Sequence, residues 1–259
     1  MQTMALRMRR KGIQVFIIAP LKGHEFYRAA RNVGGEFIQI SPASKNCINI
    51  MEIRKVDNSV NELLDGPTLD ASALAGKIQR LHIFFSLLIP DMSHEEKQLL
   101  DEALIKTYAR KGITHKNESL TDPQHPEQYK KMPILEDVYN VLLESEDTKR
   151  LAHILNRLVH GSAFSFNQQT NVDLTNKYTV LDISELTGSS DLLTVGMFVA
   201  LDYVWDKAKE NRTEEKAIFV DEVCSSSVHP ATGLQRNSYW RLPRSSVLTP
   251  EPASLPHRI

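Results

Sequence analysis

Lys216-Ala217-Ile218-Phe219-Val220-Asp221-Glu222-Val223 is the run whose reading decides the fold. Four apolar residues ending in an acidic pair predict a strand buried on both faces of a parallel sheet. Such a strand delivers its two carboxylates at the C-terminal edge of the sheet, where ligands bind in open α/β folds. In P-loop nucleotide hydrolases the first acid holds Mg²⁺, directly or through water, and a following Glu can orient or deprotonate the attacking water. The plain alternative is a strand that runs out into a solvated acidic turn, because the pattern by itself is short.

Working outward, the rest of the chain supplies the sheet that such a strand needs. Residues 13–19 (IQVFIIA) are β-branched, aromatic and continuous, and predict a second strand buried on both faces. Pro20 to Gly23 turn the chain, residues 24–33 can form a helix closed by Gly34-Gly35, and residues 36–41 (EFIQIS) read as the next strand. Strand, helix and strand in so short a span make a βαβ unit and a parallel sheet. Met1–Lys11 reads as the end of a helix stopped at Gly12. Downstream, residues 177–183 (KYTVLDI) are a strand and residues 192–210 an amphipathic helix carrying Trp205.

Between these pieces lies a helical region. Residues 69–89 are apolar at helical spacing and stop at Pro90. Ser93-His94-Glu95-Glu96 matches a capping box and opens a helix to about Arg110. Residues 114–132 carry Pro123 and Pro126 and read as a surface loop, followed by helices over 133–143 and 147–160. The expected organisation is therefore an α/β core in two parts, 1–56 and 173–223, with an all-α insertion at 57–172 and a tail at 224–259.

Composition excludes several classes. At 259 residues the chain can bury a sizeable core, and its net charge of −1 gives no global basic field for nucleic acid. Cys47 and Cys224 stand far apart without CxxC pairing, which fits a reduced cytosolic compartment. The longest apolar stretches are too short to span a bilayer. Basic Arg7–Lys11 before an apolar run loosely imitates a signal peptide, but Pro20 ends the run without a small-residue cleavage site.

Other motifs have plain explanations. Asp182 also ends a strand and could face the same edge as Asp221; a turn-initiating Asp is the simpler reading. Glu25 opens a helix, where an acid complements the helix dipole. His94 followed by two Glu is a capped helix start rather than a zinc site, and no serine has a G-x-S-x-G setting. No G-x-x-x-x-G-K-[ST] loop, whose amides and Lys hold nucleotide phosphates, occurs in residues 1–259.

Residues 13–53 (IQVFIIAPLKGHEFYRAARNVGGEFIQISPASKNCINIMEI), 166–186 (FNQQTNVDLTNKYTVLDISEL) and 216–223 (KAIFVDEV) resemble conjugative-transfer ATPases of type IV secretion systems, the TraC/TraE/TrbE/CagE type. The similarity covers residues 1–223, including the helical insertion. It implies a RecA-like P-loop NTPase core, ATP and Mg²⁺ as cofactors, and hydrolysis that energises conjugative transfer. It implies other secretion components and further copies in a hexamer as partners, and a cytoplasmic location with docking at the inner face of the membrane. DNA contact has no support from the net charge. Residue by residue, Asp221 matches the Walker B acid that binds Mg²⁺ through water, and Glu222 the catalytic Glu. Glu25 matches an acid that the family often places after its second strand. The family often has an Asp where this chain has Ala19, so a metal role for that position is not carried over.

The resemblance places the missing P-loop immediately upstream of Met1, so the expectation is a truncated fragment that is inactive alone. Residues 224–259 are Pro- and Ser-rich and read as a disordered tail. Allowed codons for 224–241 also permit a frame-shifted reading, WQLIGASSNRLAAEFVLE, an amphipathic helix of the family's kind. Two other readings stay open: a DNA translocase of the FtsK/HerA kind, and a non-enzymatic assembly module of a secretion complex.

Overall fold

The computed structural model describes residues 1–54, 72–210 and 214–221, and the backbone of 237–242. Its elements in chain order are α1 (Gln2–Arg10), β1 (Gln14–Ala19), α2 (Gly23–Asn32), β2 (Glu36–Gln39), α3 (Ala73–Leu88), α4 (His94–Arg110), α5 (Leu135–Leu142) and α6 (Lys149–Val159). They continue with β3 (Tyr178–Asp182), α7 (Ser190–Glu210), β4 (Lys216–Asp221) and β5 (Asn237–Leu242). The strands form one sheet in the order β2-β3-β1-β4-β5. The first four are mutually parallel, and β5 runs antiparallel to β4.

Alternation along the strands builds two cores. Phe16, Ile18, Leu181, Ile218 and Val220 point to one face, and Val15, Ile17, Val180, Ala217 and Phe219 to the other. Ala5 of α1 with Phe26 and Ala30 of α2 cover the second face. On the first face lie Val195, Val199 and Val204 of α7 together with the helical lobe, α3 to α6. Because both faces are covered, every residue of β1 is buried, and the run reads as continuous rather than alternating.

The lobe is an insertion in sequence and yet shares its core with the sheet. Leu100 and Leu104 of α4 and Leu155 and Leu158 of α6 belong to the same apolar cluster as Phe16 and Ile18. The expected capping box is present: Ser93 Oγ accepts from the Glu96 amide at 3.1 Å, and the Ser93 amide donates to Glu96 Oε2 at 2.9 Å. Gly12, read as a helix stop, and Gly112, just after α4, take left-handed φ of 85° and 69°, a conformation that side chains resist.

Within the tail, read as disordered or frame-shifted, the backbone of Asn237–Leu242 pairs residue for residue with Lys216–Asp221. The segment NSYWRL holds β-favouring aromatics, and the outer edge of β4 offers a row of backbone donors and acceptors. The remainder of the tail, Cys224 and the proposed frame change fall outside the described residues.

Candidate functional site

The C-terminal ends of β3, β1 and β4 bring Asp182, Ala19 and Asp221 into one row. Ala19 is level with Asp182, and Ile18 with Val220, so Asp221 stands one step along beside Ala19. The two acids therefore do not end neighbouring strands, because β1 separates them. Two strand spacings put their backbones about 10 Å apart. A shared metal would need both carboxylates to turn towards each other across β1, and Asp182 turns to the Ser184 amide instead.

Asp182 has a different task. Its residue is buried, and its Oδ1 accepts from the Ser184 amide at 3.0 Å, closing the turn that a strand-end Asp favours. The carboxyl group also lies against the first turn of α2, where Gly23 sits. A Cβ on Gly23 would stand 2.0 Å from Asp182 Cγ. A carboxylate at a helix N-terminus is favoured by the helix dipole, so this terminus already carries its anion. The turn after β1 is consequently no phosphate cradle.

Asp221 is half-buried at the end of β4 and engages in contacts with the chain around it. Glu222, the residue matched to the catalytic Glu, lies outside the described residues. Glu25 is exposed in the first turn of α2, with its amide donating to Lys22 O at 3.0 Å. Ala19 is fully buried at the strand end between Asp182 and Asp221. The chain thus brings Asp221 and the α2 turn to one sheet edge. Among the described residues no group of three His, Cys, Asp or Glu could hold a metal ion. A Mg²⁺ there would need phosphate oxygens and water to complete its coordination. The first turn of α2, taken by the Asp182 carboxylate, offers no place for those phosphates.

Sequence reasoning missed a second concentration of charge, at the far end of α7. Asp202 and Asp206 are one turn apart on α7 and buried; Lys77 and Arg80 face them from α3, and Arg54 from the segment after β2. Lys77 Nζ also donates to Ile50 O at 3.1 Å, and the Arg54 guanidinium lies 4.3 Å from the Tyr203 ring centroid. Burial pushes Lys77 down to about 8 despite Asp202 beside it. Burial alone would raise Asp202, but Lys77, Arg80 and Arg54 outweigh it and hold the carboxyl below its usual range. Charges one turn apart on an otherwise apolar helix face are the signal that could have found the cluster.

The fold defines a class: a RecA-like ATPase core carrying a helical lobe. Among solved structures the chain is similar to VirB4 of Thermoanaerobacter pseudethanolicus, with 25% sequence identity and a TM-score of 0.71, over 85% of this chain and 78% of that one. The likeness relates the chain to the type IV secretion ATPases and bears out the resemblance drawn from residues 13–53, 166–186 and 216–223. No protein-family model matches the chain, and no curated protein does. No helix among the described residues is long and apolar enough to cross a membrane.

Proposed function

We propose that this chain is the sheet and helical lobe of an ATPase that energises conjugative transfer through a type IV secretion system. The observation that carries the reading is the likeness to VirB4 over most of both chains, beside a strand ending in Asp221 that pairs parallel with β1 in this chain's own sheet. In that reading Asp221 is the Walker B acid that holds Mg²⁺ through water, and Glu222 is the residue that orients the attacking water. Glu25 borders the same edge from α2. Its partners are other secretion components and further copies of itself, assembled at the inner face of the membrane.

The reading also accounts for what the edge lacks. Backbone amides and a Lys contribute most of the hold on β- and γ-phosphates in this class, and no loop of that kind occurs in residues 1–259. The chain by itself therefore binds ATP weakly or not at all and does not hydrolyse it. A fusion tests this: a G-x-x-x-x-G-K-[ST] segment is joined ahead of Met1, and binding of a fluorescent ATP analogue is titrated. Saturable, Mg²⁺-dependent binding that Asp221→Asn weakens supports the proposal. A fusion that folds, with the circular dichroism of the parent chain, and still binds no nucleotide overturns it.

A further inference from the structure

The outer face of α2 carries a stripe that its packing does not explain. His24, Tyr27, Arg28 and Arg31 are spaced i, i+3, i+4 and i+7, so they share one side of the helix, and all four are exposed. Phe26, Ala29 and Ala30 fill the opposite, buried side, and the helix's single acid, Glu25, lies off the stripe in the first turn. Tyr27 is 43% exposed, and its ring stands edge-on to Phe37 of β2 with centroids 5.2 Å apart. The Arg31 guanidinium lies 5.8 Å from the Tyr27 centroid, and its Nη1 donates to the Tyr27 hydroxyl at 3.3 Å. Ring and cation are thus held together at the surface. The helix dipole accounts for Arg31 in the last turn, but not for Arg28 or for an exposed ring. No carboxylate among the described residues pairs with Arg28 or Arg31, whereas Lys106, Arg110 and Arg150 of the lobe are all paired.

We propose that this stripe of α2 binds single-stranded nucleic acid. Arg28 and Arg31 meet backbone phosphates, and an unstacked base lies on the platform that Tyr27 and Arg31 form. The net charge of −1 conceals this surface because the acids that balance it lie elsewhere in the chain. A duplex keeps its bases in the stack and offers the ring nothing, and an acidic polypeptide would use the cations alone. The proposal stands apart from the ATPase reading: α2 packs over β2 and β3, and the stripe needs neither nucleotide nor Asp221.

Fluorescence anisotropy of a labelled oligothymidylate tests it with the chain as it stands. Saturable binding is expected, weakening as salt rises. Arg28→Gln and Arg31→Gln should each lower the slope of log K against log salt by about 0.7, the value for one phosphate contact with a single strand. Tyr27→Leu keeps an apolar contact with Phe37 and should weaken binding about fivefold with that slope unchanged, as loss of one base stack does. Lys131→Gln removes an exposed cation of the lobe and should change neither quantity. All four positions are solvent-facing, and circular dichroism checks that the variants fold. Absence of saturable binding, or a loss in Lys131→Gln equal to that in the arginine variants, overturns the proposal. So does binding indifferent to Tyr27→Leu: displacement by polyglutamate would then assign the stripe to an acidic polypeptide, and equal binding of a duplex to a contact with phosphates alone.

Discussion

Lys77 Nζ lies 3.2 Å from Asp202 Oδ2, and this ion pair ties the helical lobe to the helix that leads into the Asp221 strand. Lys77 is fully buried, and Arg80 reaches Asp202 from the next turn of α3 at 2.9 Å. Removing a carboxylate here leaves cations in the interior without their counter-charge. Asp202→Asn should therefore lower unfolding free energy by about 3–5 kcal/mol, read from urea denaturation. The double variant Lys77→Met, Asp202→Leu removes both charges, and it should recover a large part of that loss. A double variant no more stable than Asp202→Asn would show that the pair itself, and not the stranded charge, carries the stability.

The same lysine predicts a pH dependence. Its folded value of about 8 lies below the ordinary lysine value of 10.5, because burial disfavours the ammonium; Asp202 and Asp206 oppose the shift, while Arg80 and Arg54 add to it. Below pH 8 both folded and unfolded chains hold the proton, and the full cost of the buried charge is present. Between pH 8 and 10.5 the folded chain gives the proton up first, so stability rises with pH. The slope from this group is at most about 1.4 kcal/mol per pH unit. Unfolding of the wild type and of Lys77→Met, compared from pH 7 to 10, should show the wild type gaining on the variant. A constant difference would place the lysine at its ordinary value.

How much of this was legible in the sequence depends on the range of each interaction. β1 and β4 were readable because burial on both faces leaves an unbroken apolar run, and Ser93 because its partner Glu96 is three residues away. The reading of Asp182 as a turn former also needed only Ser184. Strand order was not local: nothing in residues 177–223 says that β1 inserts between β3 and β4, and that insertion separates Asp182 from Asp221. The Lys77 cluster requires α3 and α7 to be juxtaposed across 125 residues of chain. The pairing of Asn237–Leu242 arises from an open edge on β4 that composition cannot reveal.

Tyr178 is fully buried at the start of β3, and its hydroxyl has no hydrogen-bond partner among the described residues. Burial pushes the phenol up to about 12. A buried donor without an acceptor costs about 1–3 kcal/mol relative to a satisfied one. Tyr178→Phe keeps the ring and deletes the orphaned group. It should be neutral or stabilising by about 1 kcal/mol in thermal or urea unfolding, where most large-to-small core changes destabilise. A clear loss of stability would mean that the hydroxyl has an acceptor, such as an ordered water.

Gly23 and Gly76 make a matched pair in which the same substitution should have opposite signs. Both lie in helices, where replacing Gly by Ala ordinarily adds up to about 1 kcal/mol through backbone entropy. At Gly76 a new Cβ meets nothing within 4 Å among the described residues, so Gly76→Ala should stabilise by about that amount. At Gly23 the Cβ would lie 2.0 Å from Asp182 Cγ and 2.5 Å from Oδ2, at a buried turn with no room to yield. Gly23→Ala should therefore destabilise by about 1–3 kcal/mol, the usual range for overpacking. Shortening the opposing side chain relieves the clash, so Gly23→Ala combined with Asp182→Ser should cost less than the sum of the two single changes. Additive losses would indicate that α2 moves away from Asp182 at little cost, and that the carboxylate does not hold the turn beside Asp221 in place.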